Sequence, residues 1–455
     1  MELKVLVCVV LLTLVIPGSL TSAPARVQDI KGVPSDIKPV QGKHEPCLAL
    51  RSGSGSEPVS SLLSRDRDIP DTVIQLPIIS SGEIPVYNSS LLMMVQGLLS
   101  KQEILLEYFP ADTMLYVTAV TRESVGFYSV RTGQEFWQEI KLFLKRIRLA
   151  DFGDCRKQAE VLSRVLLGKV AMKFQQKSKA VIIAHNTLSG FPFEVLVLPV
   201  LTPGPPILKA RHLVEGKEIV YNNSVTQWLS SRIRKKIREV KAPVENSLAF
   251  VGFSPGFSYH ECIHELQDAD TEISTIGKMF RDNGKAPVLL LNENSNENNF
   301  KSIARFSHIV HIATHTINSE EFPEMNGLLF HEFGSDQDDS DKDDGLLSIH
   351  EICELKIPAD LIVLNSCSSA NIRSRIGMNW FSCADCFMKA GARNVLCTLW
   401  NVSDRFAEKF MVEFYRYYLA GMSFSKALQQ VKVKMINEPS TSLPVNWAAY
   451  ILIGE

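Results

Sequence analysis

Short apolar runs constrain the fold of this 455-residue chain more than any other feature. They recur from residue 113 onward and are separated by stretches with helical periodicity. The runs are TMLYVTAV, KAVIIAH, SLAFVGF, APVLLLN, SHIVHIAT, ADLIVLNS and ARNVLCTLW. Strands that are apolar on both faces are typical of a parallel sheet covered by helices. The pattern therefore predicts an α/β domain with a mostly parallel central sheet.

The composition is that of a globular protein with ample core: 45% of the residues are hydrophobic, 22% are charged, and the formal net charge is −2. This balance argues against nucleic acid as a partner held by bulk electrostatics. The one basic run, residues 232–238, is interrupted by isoleucines at helical spacing, which indicates a solvated helix face.

The amino terminus has the pattern of a signal peptide. A lysine precedes the apolar run VLVCVVLLTLVI, and Pro17, Gly18 and Ser19 end that run before a small-residue cleavage site near Ala23 or Ala25. The run is shorter than the roughly 20 residues that span a bilayer. We therefore expect export to a secreted or lumenal compartment, with no stable membrane span once the signal is removed; a retained membrane anchor is the alternative.

Three segments follow from these patterns. Residues 1–25 are the expected signal peptide, residues 26–100 are a loop-rich extension with the linker-like stretch RSGSGSEP, and residues 101–455 form the α/β domain. The glycine and final acid of the acidic run 332–344 do not fall at EF-hand positions, so this run is expected to be a solvated loop. Nine cysteines are too sparse for a disulfide scaffold, although one or two bridges are compatible with their number. Cys383 and Cys386 form a single C-x-x-C within an expected helix, where packing is favoured over a zinc site.

The ends of two helices can be predicted near the carboxyl terminus. Ser403 is expected to cap the helix that starts with DRFAEKF, and Gly421 follows its end. Ser423 is expected to cap the next helix, which stops before Pro439. The stretch WAAYILIG is expected to be a last strand.

Two of the apolar runs deliver reactive side chains at their carboxyl ends. HIVHIATH ends in His315, and ADLIVLNSC ends in Cys367. In an open parallel sheet that edge is where ligands bind. If the two strands are neighbours, an imidazole can lower the pKa of the cysteine thiol and later protonate a leaving amine, while backbone amides at Cys367 and Thr316 stabilise an oxyanion. From the residues alone, a packing role for either side chain is an equal alternative.

The chain resembles the CHAT domain family, whose members are related to caspases and separases. The matching stretches are, in order, LSGFPFEVLVLP, SLAFVGFSP, DADTEISTIGKMF, HIATHT, GLLSIHEICELKIPADLIVLNSC, MNWFSCADCFMKAGARNVLCTLWNVSD, FYRYYLAGMSFSKALQQ and PVNWAAYILIG. The resemblance covers roughly residues 101–455.

The resemblance implies a caspase-like α/β/α sandwich and a cysteine endopeptidase with a His/Cys dyad at His315 and Cys367. These residues are 52 positions apart, close to the spacing of about 50 in caspases. Trp400 and Asp404 are candidates to line or support the substrate pocket. The partner would be a protein or peptide substrate, with a regulatory protein as a second partner, and no cofactor is expected. The chain departs from the family at Thr316, where glycine is common, and at residues 368–371 after the cysteine.

Two alternatives to a cysteine peptidase are also compatible with the sequence. The first is a catalytically inactive caspase-like scaffold for protein interaction, which Thr316 in place of glycine favours. The second, more remote, is a zinc metallopeptidase: HECIH at 260–264 has the H-E-x-x-H spacing that holds zinc on a helix. Pro255 and Gly256 leave little room for such a helix to begin, and no third ligand follows in a supporting context.

Overall fold

The fold is described from a computed structural model, which covers residues 89–111, 113–151, 155–198, 211–240, 248–256, 266, 268–317, 319, 325–331, 344–365 and 383–455. The strands in these ranges are β1 (Glu103–Ala111), β2 (Met114–Thr121), β3 (Val125–Arg131), β4 (Lys179–Ala184), β5 (Glu218–Asn222), β6 (Phe250–Ser254), β7 (Pro287–Leu291), β8 (Ile309–Ile312), β9 (Thr316–Ile317), β10 (Gly327–Leu329), β11 (Leu346–Ser348), β12 (Leu361–Leu364), β13 (Asn394–Thr398) and β14 (Tyr450–Gly454).

The α-helices in the same ranges are α1 (Ser89–Leu98), α2 (Gln134–Arg148), α3 (Cys155–Leu167), α4 (Ala171–Gln175), α5 (Leu213–Gly216), α6 (Val225–Val240), α7 (Ala269–Asp282), α8 (Glu297–Ile303), α9 (Ile349–Glu354), α10 (Cys383–Ala390), α11 (Asp404–Leu419), α12 (Phe424–Asn437) and α13 (Pro444–Trp447). Short 3₁₀ helices lie at Gly168–Val170, Asn186–Leu188, Phe193–Val195, Asn292–Asn294 and Ala304–Phe306.

A mixed sheet of eleven strands forms the centre of the domain, in the order β3-β2-β1-β4-β5-β14-β13-β12-β8-β6-β7. Neighbouring strands from β1 through β4 and β5 to β14 are parallel, and so are those from β13 to β7. The antiparallel pairs are the meander β1-β2-β3 and the pair β13-β14. The predicted α/β fold with a mostly parallel central sheet is confirmed.

The central strands are buried along their whole length, and this explains why their sequences read as continuous apolar runs. Every residue of β6, β8, β12, β13 and β14 is buried. Successive side chains of a strand point to opposite faces, so complete burial requires cover on both faces of the sheet. The edge strand β3 alternates instead between half-buried and exposed residues.

The predicted helix ends near the carboxyl terminus agree with the structure. Ser403 is the residue that precedes α11, and Gly421 follows that helix with a φ of +94°, which glycine adopts readily. The Ser423 hydroxyl accepts a hydrogen bond from the Lys426 amide at 3.2 Å, as expected of an N-cap. The last strand, β14, starts three residues after Trp447.

Two structural details differ from what the pattern suggested. The end of the expected loop-rich segment 26–100 contains α1, which packs Val95 into the core, and Leu99 directly after this helix is also buried there. Cys386 of the C-x-x-C forms a disulfide with Cys353, so this cysteine joins α10 to α9. Within the described ranges, no helix is long and apolar enough to span a membrane.

Candidate active site

The two strands that lead to the predicted dyad are neighbours in the sheet. β8 and β12 are parallel, with Ile309 opposite Leu361 and Ile312 opposite Leu364. The Asn365 amide donates a hydrogen bond to the Ile312 carbonyl at 3.0 Å, so the pairing continues one residue past β12. The condition on which the dyad hypothesis depends, adjacency of these strands, is therefore met. His315 is described, whereas Cys367 lies outside the described residues.

The backbone around His315 is fixed by a second, three-stranded sheet of order β11-β10-β9. The Leu329 amide donates to the His315 carbonyl at 3.0 Å, and the Thr314 hydroxyl donates to the Leu329 carbonyl. Thr316 lies opposite Leu328 in the β9-β10 pair. A Cβ at Gly327 would collide with the Leu347 carbonyl, so only glycine lets β10 and β11 approach this closely. His315 is thus held at the junction of the two sheets.

A cleft lies at the carboxyl edge of β8, β12 and β13, where a parallel sheet commonly binds ligands. Its walls include Ala313 and Thr314 after β8, Asn365 after β12, and Thr398 at the end of β13. The acidic residues Asp268, Glu272 and Asp404 complete one side of it. The predicted pocket residue Asp404 therefore does lie at this edge.

Charged groups in and near the cleft shift one another's pKa values. Burial raises the pKa of the Asp404 carboxyl, and nearby Asp268 raises it further, while His315 acts in the opposite direction. Burial also raises the pKa of Glu408, one turn further along α11, with Asp268 adding to the effect. Asp404 is therefore close enough to sense the charge of His315, and the cleft has a negative wall.

Trp400, the other predicted pocket residue, packs away from these cleft walls. Its side chain is buried, and its indole N–H donates to the Val445 carbonyl at 2.9 Å. The Arg148 guanidinium lies 5.8 Å from the centre of its ring. Trp400 is thus held in the loop between β13 and α11 by its burial and by its bond to Val445.

The sequence reasoning missed a buried polar network directly below the cleft. Glu272 of α7 accepts hydrogen bonds from the Asn365 side-chain amide at 2.7 and 2.9 Å. Its Oε1 also lies 2.8 Å from Nε2 of His311 in β8, and both side chains are almost fully buried. The signals were a histidine inside an apolar strand and a glutamate on the buried side of an amphipathic helix.

Among the described residues, no cluster of three or more histidine, cysteine, aspartate or glutamate side chains has a metal-binding geometry. The HECIH stretch lies outside the described residues, so its zinc alternative stays a hypothesis.

Comparison with known proteins identifies the family. The CHAT domain model matches residues 156–455. This chain belongs to the CHAT domain family. The human tetratricopeptide repeat protein 28 is 32% identical over 110 residues, which are 24% of this chain and 4% of that protein. The mouse protein of the same name is 31% identical over 109 residues, with the same shares. The chain therefore matches only a small part of these relatives.

Solved structures show the same fold. The separase of a Saccharomyces cerevisiae separase-securin complex superimposes with a TM-score of 0.52 at 11% identity, covering 80% of this chain and 30% of that chain. A second structure of that complex gives a TM-score of 0.54 with the same identity and coverage. At this identity the likeness concerns the fold alone, and it agrees with the caspase-like architecture that the sequence predicts.

Proposed function

We propose that this CHAT protein is a cysteine endopeptidase, with Cys367 as nucleophile and His315 as general base and acid. The observation that carries the proposal is the pairing of Ile312 with Leu364 on adjacent parallel strands. His315 and Cys367 each follow one of these paired residues by three positions, at the ligand-binding edge of the sheet.

The proposed reaction has two steps. The Cys367 thiolate attacks the substrate carbonyl carbon, the C–N bond breaks, and the His315 imidazolium gives its proton to the leaving amine. Water, deprotonated by His315, then hydrolyses the thioester and restores the thiol. The backbone amides of Thr316 and Cys367 are the proposed donors to the oxyanion in both steps. No cofactor is required for this chemistry.

The site has features that suit this role. His315 is half-buried and its carbonyl is tied to β10, so the ring starts from a fixed backbone. The free cysteines among the described residues are Cys155, Cys383 and Cys397, and all three are buried. Two of them suit this role poorly, because burial raises the pKa of Cys383 to about 12 and also raises the pKa of Cys397.

The first test needs no substrate. Alkylation of each cysteine by iodoacetamide is followed by mass spectrometry from pH 5 to pH 10, in the wild type and in His315→Ala. We expect Cys367 to react well below the usual thiol pKa of about 8.5, and His315→Ala to remove that advantage. If Cys367 behaves in both proteins like an ordinary thiol, the dyad hypothesis is wrong.

A search for substrates follows, with Cys367→Ala as the control. Loss of general acid–base catalysis alone typically costs about 100- to 10,000-fold in rate, and loss of the nucleophile should remove cleavage. Full cleavage by Cys367→Ala would show that Cys367 is not the nucleophile. No cleavage by the wild type, together with protein binding that tolerates Cys367→Ala, would instead support the competing function, an inactive scaffold that recruits proteins. Thr316, where the family commonly has glycine, is the observation in favour of the scaffold.

We further propose export and control by a protein partner. The disulfide between Cys353 and Cys386 supports an oxidising compartment, since such bonds persist outside the cytosol. The separase of similar fold is complexed with securin, which makes a regulatory protein a reasonable partner here as well. Amino-terminal sequencing of the protein from expressing cells tests export, and an intact Met1 would contradict cleavage of a signal peptide.

A further inference from the structure

We propose that Glu272 is a positioning residue that holds the β8 and β12 ends in the arrangement the dyad needs. This inference rests on the proposed function, because it concerns the same site. It starts from a single carboxylate that contacts both strands. Glu272 binds Asn365, the residue directly after β12, and lies against His311 within β8.

The cost of burial indicates that this carboxylate has a specific task. Glu272 is 2% exposed, and His311 is 0% exposed. A buried carboxylate is strongly destabilising unless hydrogen bonds and charge partners compensate it. Here the Asn365 amide donates to both carboxylate oxygens, the first turn of α7 has a favourable dipole, and the His311 ring lies 2.8 Å away.

Two tyrosines complete the network and fix its polarity. The Tyr450 hydroxyl of β14 donates to the Asn365 side-chain oxygen at 3.3 Å. The Tyr415 hydroxyl of α11 lies 3.2 Å from Nδ1 of His311. Burial raises the pKa of Tyr415 well above its usual value, so its hydroxyl keeps its proton and can donate it to Nδ1 of His311. The network therefore orients the Asn365 amide toward Glu272.

The position of Asn365 links this network to the proposed chemistry. Its main-chain N–H is bonded to Ile312 of β8, and its side chain is bonded to α7 and β14. Cys367 follows two residues later. Asn365 is thus the last described residue before Cys367. Its main chain is fixed by the bond to Ile312, and its side chain is fixed by the bonds with Glu272 and Tyr450.

The test exchanges the polarity of the pair. Glu272→Gln removes the charge at constant size, and Asn365→Asp places two carboxylates face to face. The double variant Glu272→Gln/Asn365→Asp restores an amide opposite a carboxylate, with the donor and acceptor reversed. Glu194→Gln/Lys432→Met is the matched control, since Glu194 is equally buried and ion-paired but lies after β4, four strands from β12, and the double change leaves no buried charge unpaired.

Two readouts are taken on the full chain: Cys367 alkylation by iodoacetamide against pH, and hydrogen exchange of peptides that contain residues 365–382. We expect each single variant to slow alkylation at pH 7 at least tenfold and to increase exchange in this segment. The double variant Glu272→Gln/Asn365→Asp should recover both properties to within about threefold of the wild type, and the control Glu194→Gln/Lys432→Met should change neither.

If both single variants kept the wild-type rate of Cys367 alkylation and the wild-type hydrogen exchange of residues 365–382, the positioning role of Glu272 would be overturned. Failure of the double variant to recover either property would also count against it, because a general loss of stability is not repaired by reversing one hydrogen bond. The exchange result is independent of His315→Ala, so a failure of the dyad hypothesis is recognised separately.

Discussion

Ile312 and Leu364 lie opposite each other on adjacent parallel strands, and each precedes a member of the proposed dyad by three residues. Neighbouring strands of a sheet are about 4.8 Å apart, and a disulfide requires Cα atoms about 4.4 to 6.8 Å apart. The side chains at 315 and 367 are therefore expected to be within crosslinking distance, independently of any catalytic activity.

This expectation can be tested by His315→Cys. We expect the new thiol to form a disulfide with Cys367 under mild oxidation, because β8 and β12 end side by side and each lies a few residues before one of these positions. Peptide mapping before and after reduction identifies the crosslink. Ser302→Cys, an exposed position on α8, is the control and should not be crosslinked to Cys367. Absence of the 315–367 bridge under conditions that oxidise a free dithiol would contradict the juxtaposition.

A second prediction concerns the buried ion pair between Lys432 and Glu194, whose side chains are each 1% exposed and 2.7 Å apart. Glu194 also accepts a hydrogen bond from Tyr221, and burial lowers the pKa of Lys432 while Glu194 opposes that shift. Lys432→Met should destabilise the fold by about 3 to 5 kcal/mol, because it leaves a buried carboxylate without its cation. Urea unfolding measures the loss.

The companion variant is Glu194→Gln/Lys432→Met, in which a neutral amide can still accept from Tyr221. It should recover most of the lost unfolding free energy, since an apolar or neutral replacement of a whole buried pair is often tolerated. If the double variant is as unstable as Lys432→Met alone, packing rather than the unpaired charge causes the loss.

The disulfide between Cys353 and Cys386 leads to a third prediction. It closes a loop between residues 33 positions apart, which corresponds to about 3 to 4 kcal/mol of stabilisation through the unfolded chain. The double variant Cys353→Ser/Cys386→Ser should lose about this much, and reductant should lower the unfolding midpoint of the wild type but not of the variant. Cys383→Ser, which alters a neighbouring free thiol, should keep its sensitivity to reductant. Equal midpoints with and without reductant in the wild type would contradict a stabilising bridge.

The sequence predicted the elements well where local patterns decide them. The apolar run ADLIVLNS became β12, and the N-cap serine of α12 was evident from the residues that follow it. The insertion of β14 between β5 and β13 was not predictable, because strand order depends on long-range packing that no local window contains. Likewise, Cys353 and Glu272 find their partners 33 and 93 positions away, and no periodicity indicates such pairs. The sequence placed His315 just after β8 and Asp404 near the same edge of the sheet, and their roles stay predictions; the network around Glu272 was not predicted.

The last prediction concerns pH and two carboxylates that share one ammonium. Lys301 contacts Glu297 in its own helix, α8, and Glu351 of α9 at 2.8 Å. Burial raises the pKa of Glu297 to about 8, with Glu351 adding to the effect. Although partial burial opposes it, hydrogen bonds from Lys301 and Ser348 lower the pKa of Glu351 to about 2. The proton therefore stays on Glu297 at neutral pH, and the charge stays on Glu351.

Glu297 and Glu351 contribute to the pH dependence of folding stability with opposite signs. Between about pH 4.5 and pH 8 the unfolded chain has lost the Glu297 proton while the folded protein keeps it, so this group makes stability fall as pH rises. For Glu351 the folded state is already ionised between about pH 2 and pH 4.5, so its contribution is lost as pH falls through that range. Glu297→Gln should consequently stabilise the protein relative to the wild type at pH 8.5, and lose that advantage below about pH 5.

Thermal midpoints of both proteins, measured every half unit from pH 4.5 to pH 8.5, give the difference that isolates Glu297 from the other ionisable groups. Glu354→Gln on α9 is the control, because it makes the same change of charge at a side chain that is 63% exposed. The thermal midpoint of Glu354→Gln should differ little from that of the wild type, and the difference should hardly change with pH. A flat profile for Glu297→Gln as well would mean that Glu297 is ionised in the folded state, held by Lys301, and that the two carboxylates are both charged around one ammonium.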